Sequence, residues 1–497
     1  MHRTTEQSVI SRMENMPISK PHYKLALIGG LGLLFDGMDG SLVSYILPVI
    51  TPLWKLQGAQ TGLIGSSLLI GIMIGALVAG VAGDRIGRRK VMMYSLALYA
   101  LATVAAATSQ NWEMFFVCRV IAGIGIGAEA AIIPTFIAEF IPASKRGLFV
   151  GSVAGFFSLG YVSAALLGTF VVAGHPEGWR FGQLVTAMPI LLLLWWRRTL
   201  PESPRWLMSR GQLQDAEDVV TSLEQGQLKP VSGRRIVGAG EVGAGEQTAT
   251  ARQEKPKLFQ FVQLFKEGHA RTTAVLWLLW ISVTFAFYGF FVWIPSLLVA
   301  NGMTMTKSFT YTLIITIAQI PGYYSAAYLN ERVGRKFTIS FYLAGGAASA
   351  FLLSNAQDNT QVLIFGCMLS FFMNGCYAGL YAYTPELYGT KLRATGMGTA
   401  SAVGRIGGIS APIIIGASYT QLGFGGVFAM VTSVLLAAAL GVLIFGISTK
   451  GRTLEDINKD QAMASAGGGN PEAIAQTDAT PPSQSPSKPT TQKYADR

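Results

Sequence analysis

The chain has 497 residues, of which 51% are hydrophobic and only 13% are charged, and its formal net charge is +11. A soluble domain has about 25% charged residues, so this composition excludes an ordinary soluble protein and indicates a polytopic helical membrane protein. The basic residues lie between apolar runs, which explains the net charge by membrane orientation and not by binding of nucleic acid.

Twelve apolar runs approach or exceed the ~20 helical residues needed to cross a bilayer. They predict an all-α membrane protein with twelve transmembrane helices. The first twenty residues are polar and lack a signal-peptide core, so the first run is expected to remain as a helix. The predicted spans are residues 24–50, 61–82, 91–109, 113–136, 147–173, 180–197, 272–300, 308–329, 337–354, 361–383, 394–420 and 424–447.

Basic residues follow the even-numbered spans, as Arg85, Arg88 and Lys90 do after the second span. The positive-inside rule therefore places these loops and both termini in the cytoplasm and predicts a multi-pass protein of the plasma (inner) membrane. The predicted parts are an N-terminal tail (1–22), a six-helix half (23–198), a cytoplasmic central loop (199–271), a second six-helix half (272–448) and a cytoplasmic tail (449–497).

The central loop contains one predicted amphipathic helix, from Gln212 to Glu224. The stretch 232–257, rich in glycine and charge, and the Pro/Ser/Thr-rich tail after about 460 are expected to be disordered.

An internal repeat links the two halves. Asp84 and Glu331, Glu139 and Glu386, Arg146 and Arg393, and Pro48 and Pro295 are each 247 residues apart. A constant offset over four landmarks indicates two related six-helix units, and such symmetry is typical of transporters with a site between repeats.

Two acids, Asp36 and Asp39, lie inside the first apolar run. Residues three apart share one face of a helix, and a charge in a membrane span is costly unless it faces a polar cavity or a partner. The pair therefore predicts a site that handles protons, the alternative being a fixed ion pair that holds helices together.

Arg405 is a second unusual charge, about eleven residues into the eleventh span and so near the membrane midplane. Its planar fork suits a carboxylate. Either the substrate supplies that carboxylate, or Arg405 pairs with a fixed acid such as Glu129, which lies in the fourth span.

Several motifs resemble those of the major facilitator superfamily. The loop GDRIGRRK (83–90) resembles the signature after the second helix of that superfamily. The stretches RVIAGIGIGAEAAIIPTFIAEF (119–140), PESPRWL (201–207), PELYGTKLRATG (385–396) and TKGRTLEDI (449–457) resemble its sugar-porter branch. The likeness covers about residues 24–457 and implies the major facilitator fold, with two pseudo-symmetric halves of six helices.

The substrate motifs resemble a different group within that branch. DGMD (36–39) is similar to the first-helix motif of aromatic acid:proton symporters, and GAE (127–129) and GRIGG (404–408) are similar to niacin and organic-acid transporters. Sugar porters typically carry a Gln-Gln pair in the seventh helix, and residues 280–298 contain none. The resemblance thus implies an organic anion.

The same resemblance implies roles for charged residues. In proton-coupled sugar porters an Asp in the first helix lies near an Arg at the place of Arg119, and Asp39 matches that Asp if one residue is inserted after Phe35. The position of Glu129, ten residues after Arg119 on the same helix, leaves three roles open: a second titrating site, a gate or the partner of Arg405. The expected inner charge network, which holds the outward-facing state closed, is Asp84, Arg85, Arg88, Glu139, Arg146, Glu331, Arg332, Arg335, Glu386 and Arg393.

Aromatic and amide residues are expected around the substrate, since they suit a flat ring. Besides Arg405, the predicted substrate-binding residues are Phe285, Tyr288, Gln319, Asn374, Tyr377 and Tyr381.

Together these features predict a monomeric secondary active transporter that takes up a small organic anion, aromatic or nicotinate-like, with protons by alternating access. It is not expected to be an enzyme or to need a cofactor or metal. The alternatives are a proton-coupled sugar or polyol symporter and a drug exporter. A non-transporting sensor is a third alternative, suggested by the tails.

Overall fold

The computed structural model describes residues 2–230, 263–265, 269–388 and 392–449, which fold into helices joined by short loops. In chain order the α-helices are α1 (His2–Asn15), α2 (Lys20–Leu53), α3 (Gly58–Ile86), α4 (Arg88–Ala107), α5 (Trp112–Ala138), α6 (Ala143–Leu167), α7 (Gly178–Thr186), α8 (Ile190–Thr199), α9 (Pro204–Ser209), α10 (Leu213–Glu224), α11 (His269–Ala300), α12 (Met305–Arg332), α13 (Arg335–Ser354), α14 (Asn359–Glu386) and α15 (Arg393–Phe445).

The bundle has twelve membrane-crossing segments, as predicted. Nine of the described helices are long and apolar enough to cross a membrane on their own. One of them, α15, has 53 residues and would extend about 80 Å, more than twice the ~30 Å hydrocarbon core. It bends at Gly423, whose φ of 63° only glycine adopts easily, and so crosses twice. The less apolar α12 and the pair α7–α8 complete the twelve.

The sixth span is interrupted, although the sequence predicted one helix over 180–197. Helix α7 ends at Thr186 and α8 begins at Ile190. The reason is Pro189, which lacks an N–H group and disfavours helical geometry in the preceding residue. Broken helices at membrane depth are tolerated where they lie inside the protein.

The N-terminal segment is a helix packed on the protein, although residues 1–22 were predicted only as a polar tail. Val9, Met13 and Met16 recur at helical spacing, and all three are buried against the α9–α10 region. The amphipathic helix expected from Gln212 to Glu224 is present as α10, with nearly the same bounds. The disorder expected at 232–257 and after about 460 falls outside the described residues.

The repeat offset of 247 is visible in the packing, which confirms two pseudo-symmetric six-helix halves. A Cβ atom at Gly75 would lie 2.0 Å from the carbonyl oxygen of Ile124, and one at Gly322 would lie 2.1 Å from that of Phe371. Helix α3 thus touches α5 in the first half as α12 touches α14 in the second. The halves are α2–α8 and α11–α15.

The two ends of the bundle differ. We call the end where α3 meets α4 and α12 meets α13 the basic end, and the other the opposite end. At the opposite end the halves touch through α3 and α15, because a Cβ at Gly58 would lie 2.0 Å from the carbonyl oxygen of Gly416. Deeper along the same contact, the Ser66 hydroxyl donates to the Ile409 carbonyl at 2.6 Å. The halves are therefore in close contact at this end.

Candidate functional site

Helix α2 carries two acids that are almost completely buried. The exposed fraction is 1% for Asp36 and 0% for Asp39. The helix runs without interruption from Lys20 to Leu53, so the two carboxyl groups lie one turn apart. The two carboxyl groups differ in the side chains that surround them.

Asp39 is held by a buried ion pair. The Nη1 atom of Arg119, on α5, lies 2.5 Å from Asp39 Oδ2, and Arg119 Nη2 donates to the Asp39 backbone carbonyl at 3.1 Å. Neither side chain is exposed. Breaking such a pair without compensation leaves a buried charge, so the two groups can separate only if a proton or another charge takes part.

The break between α7 and α8 supplies the second partner of Asp39. The Thr186 hydroxyl lies 2.9 Å from both Asp39 Oδ1 and the Gln183 carbonyl, so its single proton has two acceptors. The carbonyl of Thr186, near the end of α7, accepts a hydrogen bond from the Tyr99 hydroxyl on α4. Sequence reasoning missed Thr186 and Tyr99, and Pro189 was the signal that could have located the break.

Asp36 and Glu129 have no such support. Among the described residues, neither oxygen of either carboxyl group has a hydrogen-bond partner, and Glu129 is 0% exposed. Glu129 lies against α2, where a Cβ at Gly32 would be 2.5 Å from Glu129 Oε1. The electrostatic interactions of Asp36 are with Glu129 and Asp39. Three acids thus lie close together, with Arg119 bonded to one of them.

A cavity lies between the two halves, beside Asp36. The first half contributes Asp36, Ser41 and Tyr161 to its wall, and the second contributes Phe287, Tyr288 and Gln319. The cavity wall thus combines a polar side chain from each half with several aromatic side chains. Sequence reasoning missed Tyr161, because nothing in the α6 sequence marks which of its aromatic residues faces inward.

The other predicted substrate residues surround the cavity without lining it. Tyr377 packs edge-on to Phe287, with ring centroids 5.1 Å apart. Tyr381 packs edge-on to Trp280 and is 51% exposed. Asn374 donates to the backbone carbonyl of Gln319 at 2.9 Å.

Phe285 is buried, with 8% of its surface exposed, and also does not line the cavity. Of the predicted substrate residues, the structure therefore puts Tyr288 and Gln319 on the cavity wall.

Arg405 is near Tyr288 of this wall but does not itself line the cavity. It is half-buried, and its electrostatic interactions are with Tyr288 and Tyr381. Its Nη1 atom is buried without a hydrogen-bond partner among the described residues. No ion pair joins it to Glu129 within the described part of the chain, where the Glu129 oxygens also lack a partner. The structure does not bring Arg405 and Glu129 together.

Two matching charge clusters occur at the basic end. Arg88 pairs with Asp84 at 2.8 Å and with Glu139 at 3.3 Å. In the second half Arg335 pairs with Glu331 at 3.0 Å and with Glu386 at 2.9 Å. Each cluster joins helices of its own half, and we call them the first and second triads.

The remaining predicted gate residues lie outside the triads. Arg146 pairs with Glu14 of α1 at 3.0 Å. Arg85 is exposed, and Arg332 is exposed and lies over the ring of Tyr328. Arg393 is half-buried at the start of α15.

Twelve spans in two related halves, with a cavity between the halves and buried acids beside it, define a membrane transporter. The family described as "Sugar (and other) transporter" matches residues 20–460, and the chain belongs to this family, within the major facilitator superfamily. It is therefore a multi-pass membrane transporter of small molecules and not an enzyme.

Two relatives are similar over nearly their whole length. The niacin transporter NiaP of Acinetobacter baylyi is 38% identical over 450 residues, which is 90% of this chain and 99% of that protein. The putative niacin/nicotinamide transporter NiaP of Bacillus subtilis is 34% identical over 89% of this chain and 100% of that protein. The xylose transporter XylE from E. coli, in a partially occluded inward-open conformation, shares the fold with a TM-score of 0.69, at 22% identity over 88% of this chain and 100% of that one.

Proposed function

We propose that the protein takes up a small organic anion of the aromatic monocarboxylate, nicotinate-like class together with protons, by alternating access. The observation that carries this proposal is the position of Asp36. It lies on the wall of the cavity between the halves, one helical turn from the Asp39–Arg119 pair. The substrate path and the proton-handling acids therefore share one helix.

Proton coupling rests on competition for Asp39. Ionised Asp39 is stabilised by Arg119 and by the Thr186 hydroxyl. A proton on Asp39 removes the carboxylate charge that holds Arg119, which keeps its bond to the Asp39 backbone carbonyl. It also leaves Thr186 free to donate to the Gln183 carbonyl alone. Because α2, α5 and α7 meet at this carboxyl group, protonation changes how three helices are held together. Asp36 and Glu129 complete the proton-coupling set.

The preference for an anion rests on Arg405 and on the relatives. A half-buried guanidinium that has no acid partner in the described residues favours a ligand carboxylate. On the side of the second half the cavity is largely aromatic, with Phe287, Tyr288 and Phe291, which suits a flat ring. The two relatives named for niacin support the same class.

The orientation follows from charge. The basic end faces the cytoplasm of a cell whose inner membrane holds the protein, as the positive-inside rule requires. The contact between Gly58 and Gly416 then shuts the outer path, and the triads at the basic end belong to the inner gate. The protein works as a monomer, since the cavity lies between halves of one chain.

Uptake into proteoliposomes tests this proposal. With an inward proton gradient, labelled nicotinate should accumulate above equilibrium, and a protonophore should abolish the accumulation. Labelled xylose, tested at the same concentration, is the control for the sugar alternative. Accumulation of xylose without nicotinate would reject the organic-anion assignment, and accumulation of nicotinate that survives the protonophore would reject proton coupling.

A further inference from the structure

The two acids of α2 are separated by one turn but differ in every contact. Asp39 is bonded through both oxygens, to Arg119 and Thr186. Asp36 is equally buried, yet within the described part of the chain neither of its oxygens meets a donor. Asp36 also differs in lining the cavity. The Asp36 side chain therefore lies beside the space that a ligand would occupy.

A second polar group lines the cavity from the other half. Gln319, on α12, is 2% exposed, and its Oε1 atom has no hydrogen-bond partner among the described residues. Asn374 holds the backbone of α12 at this point through the Gln319 carbonyl. The cavity wall thus includes an acid from the first half and an amide from the second, between aromatic rings, and the oxygens of both side chains lack a donor among the described residues.

A simple carboxylate cannot satisfy these groups. A carboxylate brings only acceptors, and a buried acceptor that meets no donor is costly. Arg405 and the hydroxyls of Tyr161 and Tyr288 can serve the acid group of a ligand, but ionised Asp36 needs a donor, which the substrate can supply. A ring nitrogen also suits protonated Asp36, because it can then accept the Asp36 proton.

We propose that Asp36 binds a protonated ring nitrogen of the substrate, so that the transporter selects a pyridine carboxylate over a benzene carboxylate. This inference rests on the proposed function and adds to it the identity of the ring. One proton lies between the Asp36 oxygen and the ring nitrogen. The substrate then contacts the cluster formed by Asp36, Asp39 and Glu129. The Asp36 carboxyl group both recognises the ring nitrogen and belongs to the proton path.

Two ring acids of equal size test the inference. Nicotinate and benzoate differ by one ring nitrogen, and their affinities for purified protein can be measured by calorimetry. Wild-type protein should bind nicotinate at least tenfold more tightly than benzoate, because a site built around a hydrogen bond rejects the analogue that lacks it. In Asp36→Asn, whose amide can still hydrogen-bond the ring but carries no charge, the ratio should fall several-fold, mainly through loss of nicotinate affinity.

Asp358→Asn is the matched control. This residue is an exposed helix cap far from the cavity, and asparagine caps equally well, so the ratio should stay at the wild-type value. If Asp36→Asn does not fold, the wild-type protein still decides with the isomers picolinate and isonicotinate. Moving the nitrogen around the ring should change affinity at least tenfold if Asp36 reads its position.

Equal wild-type affinity for nicotinate and benzoate would overturn the inference, as would an unchanged ratio in a folded Asp36→Asn variant. Both results leave the proposed function standing, since an aromatic acid still binds. If neither acid binds while xylose does, the proposed function itself fails.

Discussion

The ion pair between Arg119 of α5 and Asp39 of α2 can respond to a proton as well as hold two helices together. Arg119 is completely buried, and its guanidinium holds both the side chain and the backbone carbonyl of Asp39. Removing one partner of a buried pair costs about 3–5 kcal/mol. A protein that has to separate these groups during a cycle therefore has to replace the lost charge, and a proton on Asp39 does so.

Replacing Asp39 by asparagine should separate coupling from transport. Asp39→Asn keeps the shape and a hydrogen bond to Thr186 but cannot exchange a proton. Accumulation driven by a proton gradient should fall to the equilibrium level, while exchange of labelled for unlabelled substrate persists. Circular dichroism and size-exclusion chromatography check the fold, and wild-type accumulation by this variant would end the coupling role of Asp39.

Thr186 should matter through its hydroxyl group. A hydrogen bond to a charged acceptor contributes about 1.5–3 kcal/mol, so Thr186→Val should lower gradient-driven uptake by roughly tenfold or more. Thr186→Ser keeps the hydroxyl and should retain most activity. Initial uptake rates at equal expression test this, and equal rates for the valine and serine variants would show that only the volume of Thr186 counts.

Arg405 should set the preference for an acid over its amide. Wild-type protein should bind nicotinate more tightly than nicotinamide, which has an uncharged amide in place of the carboxylate. Arg405→Ala should remove this preference, and Arg405→Lys should restore little of it, because an ammonium cannot copy the two-pronged fork. Binding constants for both ligands decide, and acid and amide bound equally by wild type would remove the role of Arg405.

At the scale of helices, sequence predicts what depends on local composition. Most of the twelve spans follow from the length of their apolar runs, and the division of α15 at Gly423 lies between two predicted spans. Helix α1 and the break after Thr186 were missed. Helix α1 is polar on average, and only its docking on α10 reveals that Val9 and Met13 are buried. The break depends on one proline inside an apolar run.

The residues of the candidate site also fall into those that the sequence reveals and those that only the packing reveals. A charge in an apolar run is visible in the sequence, so Asp36, Asp39, Arg119 and Glu129 could be selected. Which acid Arg119 bonds, and which acid faces the cavity, depends on the packing of α2 against α5 and α7. Uncharged partners such as Tyr161 carry no signal of their own, because an aromatic residue facing lipid looks identical in sequence.

Helix α1 should dock through a pH-dependent contact. Glu14 accepts from the Ala143 N–H at 2.7 Å and from Arg146 and Arg205. The Ala143 N–H holds the pKa of Glu14 below its ordinary value, with the two arginines acting in the same direction. A lowered pKa stabilises the docked state above the ordinary value of about 4.5, and the effect is lost as the pH falls through the lower value of the docked state.

Glu14→Gln should therefore speed hydrogen exchange in α1 at neutral pH, and this difference from wild type should disappear under acid conditions. Glu113→Gln, at an exposed position of α5, is the control and should change nothing. Mass spectrometry of α1 peptides after exchange measures both. A difference that is constant from neutral to acid pH would show that the Glu14 charge does not hold the helix.

At the scale of the whole molecule, the halves share a scaffold but not their chemistry. The positions 247 residues after Asp39, Arg119 and Glu129 are Ala286, Gly366 and Cys376, none of which is charged at neutral pH in a membrane interior. The position 247 residues before Arg405 is a serine. The first half therefore holds the buried acids, and the second holds Arg405, which has no acid partner in the described part of the chain. A ligand bound between them contacts both, which is how its binding can be linked to protonation.

The triads, unlike the buried acids, occur at equivalent positions in both halves, so the two can be compared by mutation. Arg88 and Arg335 each lie between two acids at the same place in their half, whereas Arg85 and Arg332 are exposed and should matter less. Loss of either triad should weaken the inner gate by roughly 1 kcal/mol, about a fivefold shift toward the state closed at the opposite end. Arg88→Ala and Arg335→Ala should act alike, with substrate affinity nearly unchanged.

The contact between Ser66 and Ile409 provides the reporter, since it is covered while the opposite end is closed. With the three native cysteines replaced, Ser66→Cys should react with a membrane-impermeant maleimide only when that end opens. Each triad variant should slow this labelling about fivefold, and Arg85→Ala, which leaves both triads intact, should not. Unchanged labelling in both triad variants would count against the inner gate, and a change in only one would show that the symmetric structure no longer carries a symmetric function.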